Sequence, residues 1–156
     1  PLTPTDLEGY GRLRRSAPIP IATGEALYTA HDFKRLMDVN GADLWQPDLT
    51  LCGGLSVGSE IFSLSKLAHV RMSLHVWGGA IGLAAALQFA GSLYPWPHSD
   101  NVPFPMLLEY DQGENALRDQ LLLSPIRCID GHIQVPSEPG LGVELNWDIV
   151  EQYRIT

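Results

Sequence analysis

The sequence has 156 residues, of which 45% are hydrophobic and 18% are charged. This length corresponds to one domain of about 100–200 residues, and the composition excludes a disordered chain, a coiled coil and a collagen-like repeat. Ten basic and eighteen acidic residues give a net charge of −8. Because no basic cluster is present to neutralise phosphates, we expect neither nucleic acid nor an anionic membrane as a partner.

The longest apolar stretch, residues 77–93, predicts a buried helix rather than a membrane span, because it includes Trp77 and Gln88. The opening PLTPTDLEGY has neither the basic nor the apolar part of a signal peptide. Cys52 and Cys128 lie far apart and form no CxxC motif, so we expect inert packing residues rather than a disulfide or a zinc site. These features predict a soluble cytoplasmic protein.

Short strand-like runs alternate with longer helix-like stretches along the chain, which is typical of βα units. We predict, in chain order, a strand over 19–23, a helix over 30–40, a strand over 44–46, a helix over 57–69, a strand over 71–76, a helix from Gly78 to Leu93 and a strand over 106–110. The proline-rich segment 94–105 is predicted as a loop. Extended segments with turns are expected at 131–136 and 138–145, and helical turns at 147–153.

Residues capable of acid, base or metal chemistry stand at or just after the end of each predicted strand. They are Glu25, Asp48, His75 and Glu109, at spacings of 23, 27 and 34 residues, each close to one βα unit. Parallel strands bring such residues to one rim, where (β/α)₈ barrels carry their catalytic groups. The pattern therefore predicts an α/β fold of this barrel type, with a site at the rim.

The chain is too short to close an eight-stranded barrel. At roughly 31 residues per unit, 156 residues supply only four or five units. Because half a barrel exposes unpaired strand edges, we expect the chain to be the C-terminal part of a longer protein. A first residue of Pro1 instead of Met fits this expectation. Pairing of two such chains edge to edge is the alternative.

Each candidate residue also has a structural interpretation. A glutamate after a strand is commonly a solvated charge, and Asp48 beside Pro47 can simply shape a turn. A single histidine between Leu74 and Val76 is commonly a core side chain. The occurrence of His75 one βα unit after Asp48 favours the functional interpretation of the pair.

The remaining glycines and histidines are interpreted as structural. The pairs at 53–54 and 78–79 complete neither a P-loop nor a GxGxxG pattern, so tight strand-to-helix turns are expected there. Trp96 either packs over the rim or contacts a second subunit. The histidines without metal-ligand spacing are His31, His69, His98 and His132.

Nearly the whole chain resembles the enolase superfamily, and within it the mandelate racemase-like subgroup. PLTPTDLEGYGRLR resembles the segment after the fourth barrel strand, and IPIATGE, QPDLTLCGG, SLHVWGG and LLEYD resemble strands five to eight. DGHIQVPSEPGLGVEL resembles the tail that returns to the N-terminal capping domain. The resemblance implies the C-terminal half of a (β/α)₈ barrel over residues 1–127. It also implies a segment over 128–156 that packs on a capping domain.

The resemblance also implies the roles of the candidate residues. Glu25 matches the third of three carboxylates that bind Mg²⁺ in this family, the other two preceding Pro1. Asp48 and His75 match its Asp–His dyad, in which the histidine is the base and the aspartate holds its tautomer and favours the imidazolium. Glu109 matches a glutamate that faces the substrate carboxylate. Magnesium would supply the charge that stabilises an enediolate.

The implied reaction is magnesium-dependent removal of the proton α to a carboxylate by a homo-oligomeric enzyme. Dehydration of a sugar acid to a 2-keto-3-deoxy acid, by a hydro-lyase, is the leading expectation. Racemisation or epimerisation of a 2-hydroxy acid, by an isomerase, is the first alternative. The second alternative is an inactive fragment or interaction module that lacks the other metal ligands.

Overall fold

The computed structural model describes residues 2–93 and 106–155, so the predicted loop with Trp96 and His98 lies outside the described residues. The helices are α1 (Leu7–Ser16), α2 (Ala30–Asp38), α3 (Gly54–Leu67), α4 (Ala80–Ser92), α5 (Ala116–Asp119) and α6 (Trp147–Gln152). The strands are β1 (Ala22–Thr23), β2 (Leu44–Trp45), β3 (Arg71–Leu74), β4 (Leu107–Leu108), β5 (Cys128–Ile129) and β6 (His132–Ile133).

The described residues group into two units, the first with residues 2–75 and 106–107 and the second with 76–93 and 108–155. Strands β1 to β4 follow one another in one sheet. The pairings of β1 with β2 and of β2 with β3 are parallel, and their register places Leu44 beside both Ala22 and Arg71. The predicted alternation of strands and helices is confirmed.

Apolar side chains of α2, α3 and the strands form the core of the first unit. Phe33 and Leu36 on α2, Ile61 on α3 and Leu74 on β3 are fully buried. The ring of Phe33 meets that of Trp45 on β2 at a centroid distance of 5.4 Å. Burial of such side chains stabilises the fold by about 1.5–3 kcal/mol each. This core fixes the strands whose ends carry the candidate residues.

A capping box begins helix α2. The backbone N–H of Asp32 donates to Oγ1 of Thr29 at 3.1 Å, and the Asp32 carboxylate accepts from the Thr29 N–H at 3.1 Å. Both bonds satisfy N–H groups that have no partner within the helix. The helix ends at Asp38, two residues before its predicted end, because Asn40 takes a φ of +52°.

Helix α1 is an element that the sequence pattern does not predict, because Gly9 and Gly11 are poor helix formers. Asp6 caps its first turn by accepting from the N–H of Gly9 at 2.8 Å. A Cβ at Gly11 would lie 2.7 Å from the carbonyl oxygen of Val39, which follows α2. Close packing against the end of α2 therefore explains a glycine inside this helix.

Asp43 joins the segments that lead into β1 and β2. Its carboxylate accepts from the backbone N–H of Ile21 and from Nε of Arg14, both at 2.8 Å. Burial raises the pKa of Asp43, but the hydrogen bonds from Ile21 and Arg14 and the charge of Arg14 outweigh it, so that the pKa is lowered.

The stabilisation provided by Asp43 is expected to depend on pH. Because folding lowers its pKa, the ionised carboxylate stabilises the native state above the unfolded-state pKa of about 3.9, and this contribution is lost as the pH falls through the folded-state pKa. In urea titrations, the free energy of unfolding should differ more between wild type and Asp43→Asn near pH 7 than near pH 3. An equal difference at both values would contradict the expectation.

Helix α4 anchors the second unit. Its residues Ala80, Leu83 and Leu87 are buried, as the apolar stretch 77–93 predicts. The side-chain amide of Gln88 donates to the carbonyl oxygen of Pro136 at 2.7 Å, which ties the helix to the C-terminal segment. No helix within the described ranges, 2–93 and 106–155, combines the length and apolarity needed to cross a membrane.

The C-terminal part of the chain is less extended than predicted. Strand β6 lies in the first predicted segment and pairs antiparallel with β5. Segment 138–145 instead consists mostly of turns, apart from a bridge between Leu122 and Leu145. The positive φ of Gly140 and Gly142, 73° and 74°, explains this difference, since such values interrupt an extended chain.

The two cysteines differ in exposure, so the prediction that both are packing residues is wrong for Cys128. Cys52 is buried, whereas Cys128 is exposed. Burial raises the pKa of the Cys52 thiol, and the nearby charge of Asp48 raises it further.

We therefore expect a thiol reagent added to the 156-residue chain by itself to label Cys128 rapidly and Cys52 only on unfolding. Labelling with Ellman's reagent should show one fast thiol, which the Cys128→Ser variant loses and the Cys52→Ser variant keeps. Equal labelling rates for the two thiols in the folded protein would contradict this expectation.

Candidate active site

The ends of β2 and β3 bring Asp48 and His75 side by side. The strands pair in register with Leu44 beside Arg71, and the same offset places Asp48 beside His75. The backbone N–H of His75 donates to the carbonyl oxygen of Pro47 at 3.1 Å, so the pairing continues beyond the strands. Because residues in register point to the same face of a sheet, the two side chains meet.

Asp48 and His75 form a hydrogen-bonded pair with little exposure to solvent. Nδ1 of His75 lies 2.9 Å from Oδ2 of Asp48, and the two side chains are 13% and 8% exposed. An ionised carboxylate only accepts hydrogen bonds, so we assign the proton of the neutral imidazole to Nδ1. Nε2 then keeps its lone pair and can accept a proton from a substrate.

Glu25 lies beside the other nitrogen of the imidazole. Its Oε2 is 3.5 Å from Nε2 of His75, and its side chain is 65% exposed. The preceding Gly24 has a φ of +132°, and a Cβ there would lie 2.9 Å from the ring of Phe33. A glycine is therefore required for the turn that leads to Glu25. The structure thus brings Glu25, Asp48 and His75 together within the first unit.

The second oxygen of Asp48 binds Thr50, a residue that the pattern of ionisable side chains does not predict as part of the site. The N–H and the Oγ1 of Thr50 donate to Oδ1 of Asp48 at 2.7 and 2.6 Å. Asp48 therefore shapes a turn with one oxygen and contacts His75 with the other. The Asp-x-Thr spacing, which is typical of such side-chain turns, is the signal that points to this residue.

Glu109 belongs to the second unit and follows β4. Its Oε2 accepts a hydrogen bond from the N–H of Val76, at 3.3 Å. The segment after Glu109 is held by Arg118, whose Nη1 donates to the carbonyl oxygen of Asp111 at 2.7 Å and to its Oδ2 at 3.0 Å. The carboxylate of Glu109 is thus held by the backbone amide that directly follows His75 in the sequence.

A cavity of about 210 Å³ in the first unit is lined by Glu25. Its other walls include Thr23 and Gln46 from the strand ends and Leu7 and Tyr10 from α1. Glu25 therefore borders this cavity, while most of its side chain is exposed.

The donor chemistry of Glu25 fits magnesium. Mg²⁺ prefers oxygen ligands and is usually bound by one or two protein carboxylates, with waters and substrate oxygens completing the coordination. Within residues 2–93 and 106–155, no group of three or more His, Cys, Asp or Glu side chains could hold a metal ion. The Glu25 carboxylate is thus an oxygen donor of the kind that Mg²⁺ takes, and within the described residues it belongs to no larger group of such donors.

The remaining described histidines fit their structural interpretation. His132 contacts the carbonyl oxygen of Asp130 through Nδ1 at 2.8 Å, next to a hairpin turn. His69 is exposed and takes a φ of +53° after α3, and His31 lies in the first turn of α2.

Parallel strands with intervening helices, and polar side chains gathered at the strand ends, are typical of part of a βα-barrel domain. The chain belongs to the enolase C-terminal domain-like family, whose model matches residues 1–149. The predictions of the superfamily and of a partial barrel are both confirmed.

Two characterised relatives and one solved structure illustrate this relationship. The chain is 36% identical to D-galactarolactone cycloisomerase of Agrobacterium fabrum, over 99% of this chain and 41% of that protein. It is 30% identical to D-galactonate dehydratase of Xanthomonas campestris pv. campestris, over 97% of this chain and 39% of that protein. The crystal structure of 3,6-anhydro-D-galactonate cycloisomerase from Zobellia galactanivorans matches with a TM-score of 0.85 and 38% identity, over 97% of this chain and 40% of that chain.

Proposed function

We propose that this chain supplies the catalytic base of an enzyme that removes the proton α to the carboxylate of a sugar acid. The observation that supports the proposal most directly is the contact of 2.9 Å between His75 Nδ1 and Asp48 Oδ2, in which a carboxylate orients the imidazole. The names of the relatives, which are sugar-acid dehydratases and cycloisomerases, indicate the substrate class.

In the proposed reaction, Nε2 of His75 takes the α proton and Asp48 stabilises the resulting imidazolium. The electron pair of the C–H bond first moves toward the carboxylate and gives an enediolate. For dehydration, this pair then forms the enol double bond as the neighbouring C–O bond breaks. The imidazolium returns its proton to the departing hydroxyl, so water leaves and His75 becomes neutral again. The enol then tautomerises to a 2-keto-3-deoxy acid.

Glu25 is proposed to bind Mg²⁺ together with ligands from outside the described residues. When bound, magnesium supplies positive charge where negative charge develops on the substrate carboxylate. Glu109 is proposed to face that carboxylate and to hydrogen-bond it when Glu109 carries a proton.

Cycloisomerisation is a second candidate reaction, since relatives with 36% and 38% identity are cycloisomerases. It uses the same base but yields a product in which a lactone or ether ring is opened or closed. Racemisation or epimerisation of a 2-hydroxy acid is the third, and it returns a proton to the same carbon. The products distinguish the three reactions.

The test is a screen of sugar acids and their lactones with the intact protein and Mg²⁺ in D₂O. Proton NMR follows loss or exchange of the α proton, and semicarbazide detects a 2-keto product. We expect α-proton loss that requires Mg²⁺. Protein that binds Mg²⁺ in isothermal titration but neither exchanges nor converts any compound would contradict the proposal. Protein that binds no Mg²⁺ would favour the non-catalytic interaction module.

We further propose that the protein is a cytoplasmic homo-oligomer and that residues 128–156 pack on a capping domain that precedes the barrel. Sedimentation of the intact protein tests the oligomer, and a single monomeric species would contradict it.

A further inference from the structure

We propose that Thr50 is a positioning residue that holds the Asp48 carboxylate in the orientation required by His75. This inference deepens the proposed function and rests on it. It starts from the two hydrogen bonds, at 2.7 and 2.6 Å, through which the N–H and Oγ1 of Thr50 bind a single oxygen of Asp48.

The orientation of an aspartate carboxylate needs such an anchor. Rotation about its last side-chain bond is soft, so the hydrogen bonds at its two oxygens decide how firmly its plane is held toward the partner. In this protein, Thr50 fixes Oδ1 of Asp48 while Oδ2 contacts Nδ1 of His75. Because the Asp48 side chain is only 8% exposed, water has little access to replace a lost donor.

The hydroxyl of Thr50 is not needed to form the turn itself. The carbonyl oxygen of Asp48 accepts from the N–H groups of Leu51 and Cys52, at 3.1 and 2.8 Å. The backbone N–H of Thr50 also binds the carboxylate. Removal of the hydroxyl therefore leaves the turn with three hydrogen bonds but takes away a charge-assisted bond to the carboxylate, which is roughly twice as strong as a neutral one.

Helix α2 offers a matched control for a purely structural role. The Oγ1 of Thr29 donates to Oδ2 of Asp32 at 2.8 Å, so this hydroxyl also binds an aspartate carboxylate. It belongs to the capping box of the helix and not to the Asp48–His75 pair. A Thr29→Val variant therefore loses a similar bond, together with the bond from the Asp32 N–H to this hydroxyl, without touching the dyad.

The experiment compares Thr50→Val, Thr50→Ser and Thr29→Val in the intact protein at one pH. Steady-state kinetics on the substrate found in the screen give kcat and KM. Proton NMR with ¹⁵N-labelled histidine follows the Nδ1–H of His75, assigned by its loss in His75→Asn. We expect Thr50→Val to lower kcat about tenfold with KM within about twofold, and to speed exchange of the Nδ1–H at least about fivefold.

Thr50→Ser keeps the hydroxyl and should restore both quantities to within about twofold of wild type. Thr29→Val should lower the melting temperature and leave kcat and the exchange rate of the His75 Nδ1–H unchanged. The proposal is overturned if Thr50→Val melts at a lower temperature but keeps wild-type kcat and Nδ1–H exchange. Should the valine variant not fold, Thr50→Ala removes the same hydroxyl and is measured in the same way.

The NMR comparison separates the two proposals. If no sugar acid is turned over by the wild type, the proposed function fails, and the exchange rates alone decide the role of Thr50. If turnover is found but the exchange rate and kcat of Thr50→Val match wild type, the role of Thr50 fails while the function stands.

Discussion

Replacement of His75 by asparagine is expected to lower turnover by about 10³-fold, because general-base catalysis of this kind contributes about 10²–10⁴. The asparagine amide can still donate a hydrogen bond to Asp48, so the loop geometry should persist. It has no basic nitrogen, and removal of the α proton then depends on water. The rate of α-proton exchange in D₂O measures this loss directly, without contributions from product release.

His69→Asn is the matched control for this experiment. His69 is exposed and already has a left-handed backbone with φ of +53°, which asparagine tolerates. The rate of α-proton exchange in the His69→Asn variant should equal that of wild type. A near-normal exchange rate for His75→Asn, with a melting temperature like that of the control, would exclude His75 as the base.

Replacement of Glu25 by glutamine is expected to weaken Mg²⁺ binding by about 10–100-fold or more. Loss of a residue that only hydrogen-bonds a metal ligand already costs about 10–100-fold. Glutamine preserves the size of the side chain but removes the negative charge that a hard cation prefers. Isothermal titration of the intact protein with MgCl₂ gives the affinity. Activity lost at low Mg²⁺ should partly return when Mg²⁺ is raised.

Two controls distinguish the ligand role of Glu25 from its contact with His75 at 3.5 Å. Glu60→Gln, on the exposed face of α3, makes the same change in charge away from the site and should leave the affinity unchanged. His75→Asn should change the Mg²⁺ affinity by no more than about twofold, because imidazole is not a preferred ligand of this ion. An unchanged affinity in Glu25→Gln would remove Glu25 from the metal site.

The sequence predicted the positions of the candidate residues because strand geometry is regular. Asp48 and His75 are one βα unit apart, so parallel pairing of β2 with β3 places them side by side. This placement does not depend on the conformation of the chain between the two strands. Glu25 was predicted on the same grounds and lies beside His75. Their catalytic and metal-binding roles remain predictions until the variants are measured.

Other features depend on packing that no local pattern reports. Helix α1 exists with Gly11 in its interior because the carbonyl oxygen of Val39 approaches too closely for a side chain. The contact between Glu109 and the N–H of Val76 joins residues 33 positions apart. Thr50 is not predicted by a pattern of ionisable residues, because its contribution is a neutral hydroxyl at turn spacing.

The two oxygens of the Asp48 carboxylate have different partners, and this links the orientation of His75 to the folding of the local turn. One oxygen closes the turn through Thr50 and the other contacts His75, so opening of this turn frees the carboxylate that orients the imidazole. Amide hydrogen exchange at Thr50 and Cys52 would therefore report how often the turn opens and the imidazole of His75 loses its orienting carboxylate. A substitution that merely loosens this turn would behave in assays as an active-site defect, although it touches no substrate.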